Sequence, residues 1–215
     1  SYSFIDNEII VTRDYKIRAR IVGSSSICKL LPQVSITNFV EFEIKDDTNR
    51  LWYPISGIST GNYSIFLVSE FKGGYKTKIA YFCNKNKSEY PLFLNTGSFN
   101  PISIYGGTFN AAAIGDNGSI IFIGKSTYEN INKPLKIMNM PNEKIAVNVA
   151  CCNEFIVALS SDFHVYESVI NNLNFKEVEE LKDIKIIDIS GINNHCLALS
   201  DDGRVFGRGL NICGQ

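Results

Sequence analysis

The sequence predicts an all-β fold, and its clearest hairpin lies toward the end of the chain. An apolar run extends from Cys196 to Leu199, a turn follows at Asp201-Asp202-Gly203, and a second apolar run starts at Val205. Asp-Gly readily adopts the positive φ angles of a tight turn, so we expect two antiparallel strands here. Short apolar runs separated by turn residues continue through the rest of the chain, without sustained helical periodicity. Helix content should therefore be low.

Weaker copies of this hairpin recur upstream at a regular spacing. Residues 155–166 align with 195–206 without a gap at a distance of 40 residues, and 110–121 fit the same frame 45 residues earlier. A further copy at 64–68 matches the first strand only, because its hairpin is lengthened before the strand resumes at Ile79. A period in the forties with about four short strands per copy is typical of the blades of a β-propeller. The sequence therefore predicts a propeller.

The spacing predicts a single propeller domain over residues 1–215. In the degenerate N-terminal part, residues 4–11 resemble the hairpin half of a blade, and 39–44 alternate as a strand does. The chain thus holds material for about four to five blades. The predicted segments are the degenerate part at 1–54 and repeats at 55–90, 91–133, 134–173 and 174–215.

Charge and hydropathy exclude several classes of protein. The net charge is -1 and the sequence pI is near 6.1, which argues against a nucleic-acid surface, since that requires clustered excess Lys and Arg. No run approaches the ~20 apolar residues of a membrane helix, so we expect no membrane insertion. The first residues lack the basic and apolar regions of a signal peptide.

The cysteines are predicted to be buried thiols rather than disulfides. Six are present, most of them inside or beside apolar strand runs. A chain of 215 residues is also long enough to be stable without disulfide bonds. This pattern favours a reducing, intracellular location, cytoplasmic or nuclear. There is no Cys-x-x-Cys pair and there are only two histidines, so no metal site is expected.

The last tract, from Ile192 to Gln215, resembles the repeat of the regulator of chromosome condensation family, whose members are seven-bladed β-propellers. It departs from the family pattern at Ile192, where the pattern has Gly, and at Arg208, where it usually has Trp. Upstream copies are degenerate, and Phe163 replaces the turn Gly. The resemblance is carried by His195, Ala198, Leu199, Asp202, Gly203, Val205, Gly209, Asn211, Gly214 and Gln215.

The resemblance implies that the signature residues are structural and that the ring needs more blades than this chain supplies. An incomplete ring exposes sheet edges and apolar faces, so the expected partners include the remaining propeller blades or a second chain. The residues to which the resemblance assigns a structural role are His195, Asp202, Gly203, Gly209, Asn211, Gly214 and Gln215.

The lengthened hairpin is the predicted partner-binding feature. Propellers bind through loops on their faces, and Tyr75 with Lys72 and Lys76 could dock onto an acidic protein surface. Trp52 is a second candidate anchor, because Trp is enriched at binding hot spots. The alternatives are a mobile surface loop and, for Trp52, packing in the core.

Three hypotheses for function follow, and none requires a cofactor. The resemblance implies a non-enzymatic module that recruits a protein partner, and its alternative is guanine-nucleotide exchange on a Ran-like small GTPase. The exchange residues of the family cannot be matched to this sequence. A propeller enzyme would need paired carboxylates on the central face, and none are identifiable. No catalytic residue is therefore predicted, and His195 is expected to pack rather than to act as a base.

Overall fold

The structure is a computed structural model, and it confirms the all-β prediction. Every strand pairs antiparallel with its neighbour, and the chain divides into two compact units, Ser1–Thr96 and Gly97–Gln215. In the described part of the chain, no helix is long and apolar enough to cross a membrane. The residues that the structure describes are 10–11, 17–20, 39–60, 63–72, 74–83, 91–124, 135–170, 172 and 174–210.

The first unit contains a three-stranded and a five-stranded sheet. In both sheets each strand is hydrogen-bonded to the next strand along the chain. The strand predicted at 39–44 is interrupted at Glu43, and its two halves belong to different sheets. The strands are β1 (Ile10–Val11), β2 (Ile17–Arg20) and β3 (Phe39–Phe42) in one sheet, and β4 (Ile44–Lys45), β5 (Leu51–Thr60), β6 (Tyr63–Ser69), β7 (Thr77–Cys83) and β8 (Leu92–Phe93) in the other.

The second unit contains three sheets of consecutive strands. The first is β9 (Pro101–Gly106), β10 (Ala111–Gly115), β11 (Ile120–Ile123) and β12 (Ile137–Met138). The second is β13 (Ala146–Cys151), β14 (Phe155–Ser160), β15 (Val165–Val169) and β16 (Lys176–Glu177). The third is β17 (Ile186–Ile192), β18 (His195–Ser200) and β19 (Val205–Gly209). In the described part of the chain, the third sheet thus has three strands, whereas the first and second have four each.

Each predicted hairpin of the second unit is a pair of neighbouring strands in one of these sheets. The hairpin predicted from His195 onward is β18–β19, with His195 opposite Gly209 and Leu199 opposite Val205. The copies at 155–166 and 110–121 are β14–β15 and β10–β11. The short last strand of a sheet can lie beyond the predicted repeat boundary. For example, β8 lies within the predicted repeat 91–133 but pairs with β7, which lies within the repeat 55–90.

The β14 strand shows how these sheets stack. Ile156 and Ala158 point toward the β9–β12 sheet and join one buried apolar cluster. Val157 and Leu159 point the other way and join a second cluster, with residues of β17 and β18. Successive side chains of a strand point to opposite faces, so an uninterrupted apolar run is what a strand buried on both faces requires.

A hydrogen bond recurs between one sheet and the next. The Ala146 N–H donates to the Gly118 carbonyl at 3.1 Å, and the Ile186 N–H donates to the Phe163 carbonyl, also at 3.1 Å. Both acceptors occupy the positive-φ position of a hairpin turn, with φ of +75° and +72°. Gly203 holds the same position in the β18–β19 turn, with φ of +86°. A backbone hydrogen bond therefore ties the turns at Gly118 and Phe163 to the strand that begins the next sheet.

Candidate partner-binding site

The hairpin between β6 and β7 is longer than the corresponding turns of the second unit. Residues 70–76 connect its strands, against 116–119, 161–164 and 201–204 in the other hairpins. Four of its side chains are exposed, and we call them the β6–β7 tip: Phe71, Lys72, Tyr75 and Lys76. The Tyr75 side chain is 94% exposed and that of Phe71 is 59% exposed. Two large apolar rings thus lie beside two lysines in solvent.

Two hydrogen bonds support the turn that carries the tip. The Gly74 N–H and the Ser69 hydroxyl both donate to the Phe71 carbonyl, each at 2.9 Å. Below them the β6–β7 ladder begins with Ser69 opposite Thr77, and both of these residues are buried. The exposed rings are therefore carried by a turn with its own hydrogen bonds on a buried strand pair. Sequence analysis did not select Phe71, although an apolar residue in an otherwise polar, lengthened hairpin is a usable signal.

Charged residues at the base of the hairpin are paired with one another. Glu70 accepts from Arg50 at 2.9 Å and lies 3.9 Å from Lys78. The Arg50 guanidinium carbon and the Lys78 ammonium also lie over the Trp52 ring, at 5.2 and 4.7 Å from its centroid. A cation over an indole face is attracted by the negative face of the π system. This arrangement ties the hairpin to the β5 strand.

Trp52 is not an exposed anchor, which corrects the sequence-based hypothesis. Only 3% of its side chain is exposed, and its ring packs 4.7 Å, centroid to centroid, from Phe93. The indole N–H donates to Asp46 at 3.0 Å. Hydrogen bonds from Thr48 and from Trp52 lower the pKa of Asp46 to about 2. The physical reason is that the β5 strand turns Trp52 into the apolar cluster of the first unit.

A second candidate surface is one face of the β17–β19 sheet. Leu197 is 44% exposed and Val205 is 63% exposed, and Leu199 between them is half-buried. We call these three residues the β17–β19 outer face. Their equivalents one repeat earlier are Val157, Leu159 and Val165, and two repeats earlier Ala112, Ile114 and Ile120; all six are buried by the sheet that follows.

The signature residues of the last hairpin hold its turns. The Ser200 hydroxyl donates to Asp202 at 2.5 Å and accepts from the Arg204 N–H at 3.1 Å, which closes the turn around Gly203. Gly209 has φ of +117° and lies against the carbonyl of Asn194. The remaining signature residues, Asn211, Gly214 and Gln215, lie outside the described residues.

The two histidines have different surroundings. His195 begins β18, and its carbonyl accepts from the Cys152 thiol at 3.3 Å. The His164 ring lies 2.5 Å from Glu177, measured from Nδ1 to Oε1. Within the ranges that the structure describes, no three His, Cys, Asp or Glu side chains are grouped as metal ligands would be.

Stacked meanders of this kind, with repeated turns and inter-sheet bonds, define a β-propeller-type repeat protein. The sequence profile of the regulator of chromosome condensation (RCC1) repeat matches residues 186–215. This match covers the segment that forms the β17–β19 sheet, the last of the three sheets of the second unit. No curated protein sequence matches the chain significantly.

Solved structures share this fold at low sequence identity. The crystal structure of Kap60 bound to yeast RCC1 (Prp20) has a TM-score of 0.67 at 10% identity and covers 92% of this chain and 53% of that chain. Prp20p from Saccharomyces cerevisiae gives 0.63 at 12%, with 92% and 53% covered. Human WBSCR16 gives 0.62 at 13%, with 93% and 60% covered. The chain therefore spans between about half and three fifths of these chains.

Proposed function

We propose that this chain is a non-enzymatic protein–protein interaction module of the RCC1-like propeller type, which recruits a protein partner through the β6–β7 tip. One observation carries the proposal: Phe71 and Tyr75 are exposed beside Lys72 and Lys76 on a hairpin longer than its equivalents. An exposed aromatic pair is unfavourable in water and is a common anchor of an interface.

The geometry supports binding to an acidic surface. The aromatic rings supply apolar area, and the two lysines select a partner of opposite charge and speed its encounter. The hydrogen bond within the turn and those of the ladder below it reduce the backbone entropy that binding would remove.

Partner capture tests the tip directly. The variant with Lys72, Tyr75 and Lys76 replaced by Ala is expected to lose about tenfold or more in affinity for a captured partner, because an interfacial aromatic anchor alone contributes about 2 kcal/mol. Its melting temperature should not change, because these side chains are exposed. The matched control is Phe109→Ala, which removes an exposed ring from another turn. Equal capture by the triple variant and the wild type would contradict the proposal.

Guanine-nucleotide exchange is the alternative function. Prp20p, which shares the fold, has binding properties to Gsp1p and histones. Release of fluorescent GDP from a Ran-type GTPase distinguishes the two functions. Acceleration by this chain would establish exchange, whereas binding without acceleration would leave recruitment. An intracellular location, cytoplasmic or nuclear, belongs to the same proposal and is supported by three buried free thiols, Cys151, Cys152 and Cys196.

The β17–β19 outer face is the proposed seat of a further repeat of this type, supplied by remaining propeller blades or by a second chain. Two observations support it: the equivalent faces of two preceding sheets are each covered by a following sheet, and Gly203 occupies the position whose carbonyl accepts the inter-sheet bond in those sheets. The expected occupant is a sheet of the same kind. The first residue of its first strand would donate its N–H to the Gly203 carbonyl.

Sedimentation of the chain tests the second-chain form of this proposal. The wild type is expected to self-associate as concentration rises, and the double variant Leu197→Glu with Val205→Glu should remain monomeric, because it places two charges on the apolar face. Val169→Glu is the control, since Val169 is an exposed apolar strand residue elsewhere. A wild type that stays monomeric at every concentration would refute self-association through this face.

A further inference from the structure

Cys152 and Cys196 belong to different sheets, yet their side chains meet. Cys152 directly follows β13, Cys196 lies in β18, and both are buried free thiols. Gly191 makes room for them: a Cβ at that position would lie 2.9 Å from the Cys196 Cβ and 3.0 Å from the Cys152 Sγ. The two side chains therefore border one small space within the same apolar cluster.

A cavity leads to one of these thiols. It has a volume of about 230 Å³ and is lined mainly by apolar residues of the two facing sheets, with Cys196 in its wall. Glu180 and Arg208 also line it, and Cys152 is not among its lining residues. The space is large enough for a molecule the size of hydrogen peroxide, and of the two cysteines only Cys196 borders it.

The surroundings give the two sulfurs different roles. When the Cys152 thiol turns its hydrogen from the His195 carbonyl to the Cys196 sulfur, this hydrogen bond lowers the pKa of Cys196. The positive charge of Arg208 acts in the same direction, and burial and the charge of Glu167 oppose it. Arg208 lies directly opposite Cys196 in the β18–β19 ladder. The same hydrogen bond, together with burial, raises the pKa of Cys152. Because the thiolate is the nucleophile, Cys196 is the sulfur that reacts first.

We propose that Cys196 and Cys152 form a peroxide-sensitive dithiol that closes into a disulfide between two neighbouring repeats. The Cys196 thiolate attacks one oxygen of hydrogen peroxide, the O–O bond breaks, and the departing hydroxide takes a proton to become water. Cys196 is then a sulfenic acid. The Cys152 sulfur attacks the Cys196 sulfur, the S–S bond forms, the S–O bond breaks, and the hydroxide leaves as a second water with the Cys152 proton.

The step is balanced, since two thiols and one peroxide give one disulfide and two waters. The product ties the β13–β16 sheet to the β17–β19 sheet. A cross-link between segments so far apart in sequence restricts the unfolded chain, and the oxidised protein should therefore melt at a higher temperature than the reduced protein.

Cys151 provides a matched control inside the same molecule. It is the neighbour of Cys152 in sequence, but it belongs to the other apolar cluster, toward the β9–β12 sheet. Burial raises the pKa of the Cys151 thiol to about 12. It does not line the cavity. Its sulfur should therefore stay reduced while its neighbour reacts.

The test treats the full chain, freshly reduced, with graded hydrogen peroxide, followed by intact mass and peptide mapping. The expected product has lost two hydrogen atoms and links the Cys152 and Cys196 peptides, and reduction with dithiothreitol restores the original mass. Cys151→Ser should form the same link. Cys152→Ser should stop at a sulfenic acid on Cys196 that dimedone traps, and in Cys196→Ser the oxidation of Cys152 should slow about tenfold or more.

Several outcomes would overturn the proposal. They are a link through any other cysteine, loss of the link in Cys151→Ser, oxidation of Cys196 to a sulfinic acid without a link in the wild type, and no reaction of the folded chain. Each can be told from misfolding, because circular dichroism of the reduced variants reports the strand content before peroxide is added. None depends on the partner-binding proposal.

Discussion

Gly209→Ala is expected to destabilise the β17–β19 sheet by about 3 kcal/mol or more, because the substitution combines backbone strain with a steric clash. Gly209 has φ of +117°, a region that side chains rarely adopt. A Cβ there would also lie 2.1 Å from the Asn194 carbonyl oxygen and 2.7 Å from the His195 Cα. Both contacts are with backbone, so no side-chain rotation relieves them.

Gly203→Ala is the control for strain without the clash. Gly203 has φ of +86°, but nothing lies within 4 Å of the position of its Cβ. Its expected cost is about 1 kcal/mol. Amide hydrogen exchange of β18 and β19 measures both variants locally, which avoids assuming two-state unfolding of a chain with two units. Equal protection in the two variants would show that the contact with Asn194 does not govern this sheet.

Trp52→Ala is expected to cost the first unit about 3–5 kcal/mol, the range for truncating a large buried aromatic residue. The substitution would empty the space between Phe93 and the rest of the apolar cluster. It would also leave Asp46 without its indole donor. Trp52→Phe keeps most of the apolar ring and loses the N–H, so its expected cost is smaller, about 1–2 kcal/mol.

Tyr75→Ala is the matched control, because it removes an aromatic ring that is 94% exposed. It should change stability by no more than about 0.5 kcal/mol. Trp52 is the only tryptophan of the chain, so its fluorescence follows unfolding of the first unit in the wild type and in Tyr75→Ala. Exchange of the β5 to β7 amides reports on Trp52→Ala itself. A Trp52→Ala protein as stable as Tyr75→Ala would refute the buried role.

The sequence was sufficient to predict the strands, because their signals are local. Alternating apolar runs and turn residues located β14–β15 and β18–β19, and the insertion after Val68 located the longer hairpin. The β-propeller type followed from the repeat spacing and from the tract beginning near His195. The exposure of Phe71 and Tyr75 is a property of that longer hairpin, so the β6–β7 tip could be predicted in part.

Features that join distant segments could not be predicted from local patterns. Trp52 packs against Phe93 and donates a hydrogen bond to Asp46, and the residues next to Trp52 in the sequence give no signal of either contact. The contact between Cys152 and Cys196 likewise depends on how two sheets stack. Phe163 keeps the positive φ of the glycine it replaces, because its N–H donates to Ser160 and its carbonyl accepts from Ile186.

The strand order has a consequence for how the second unit folds. Each of its sheets is made from strands adjacent in the sequence, so a sheet can form as soon as its own residues have left the ribosome, without waiting for distant segments. The inter-sheet bonds then couple each sheet mainly to its immediate neighbour. Folding can therefore advance along the unit in the direction of synthesis, and damage to one sheet should be felt chiefly by the sheets that touch it.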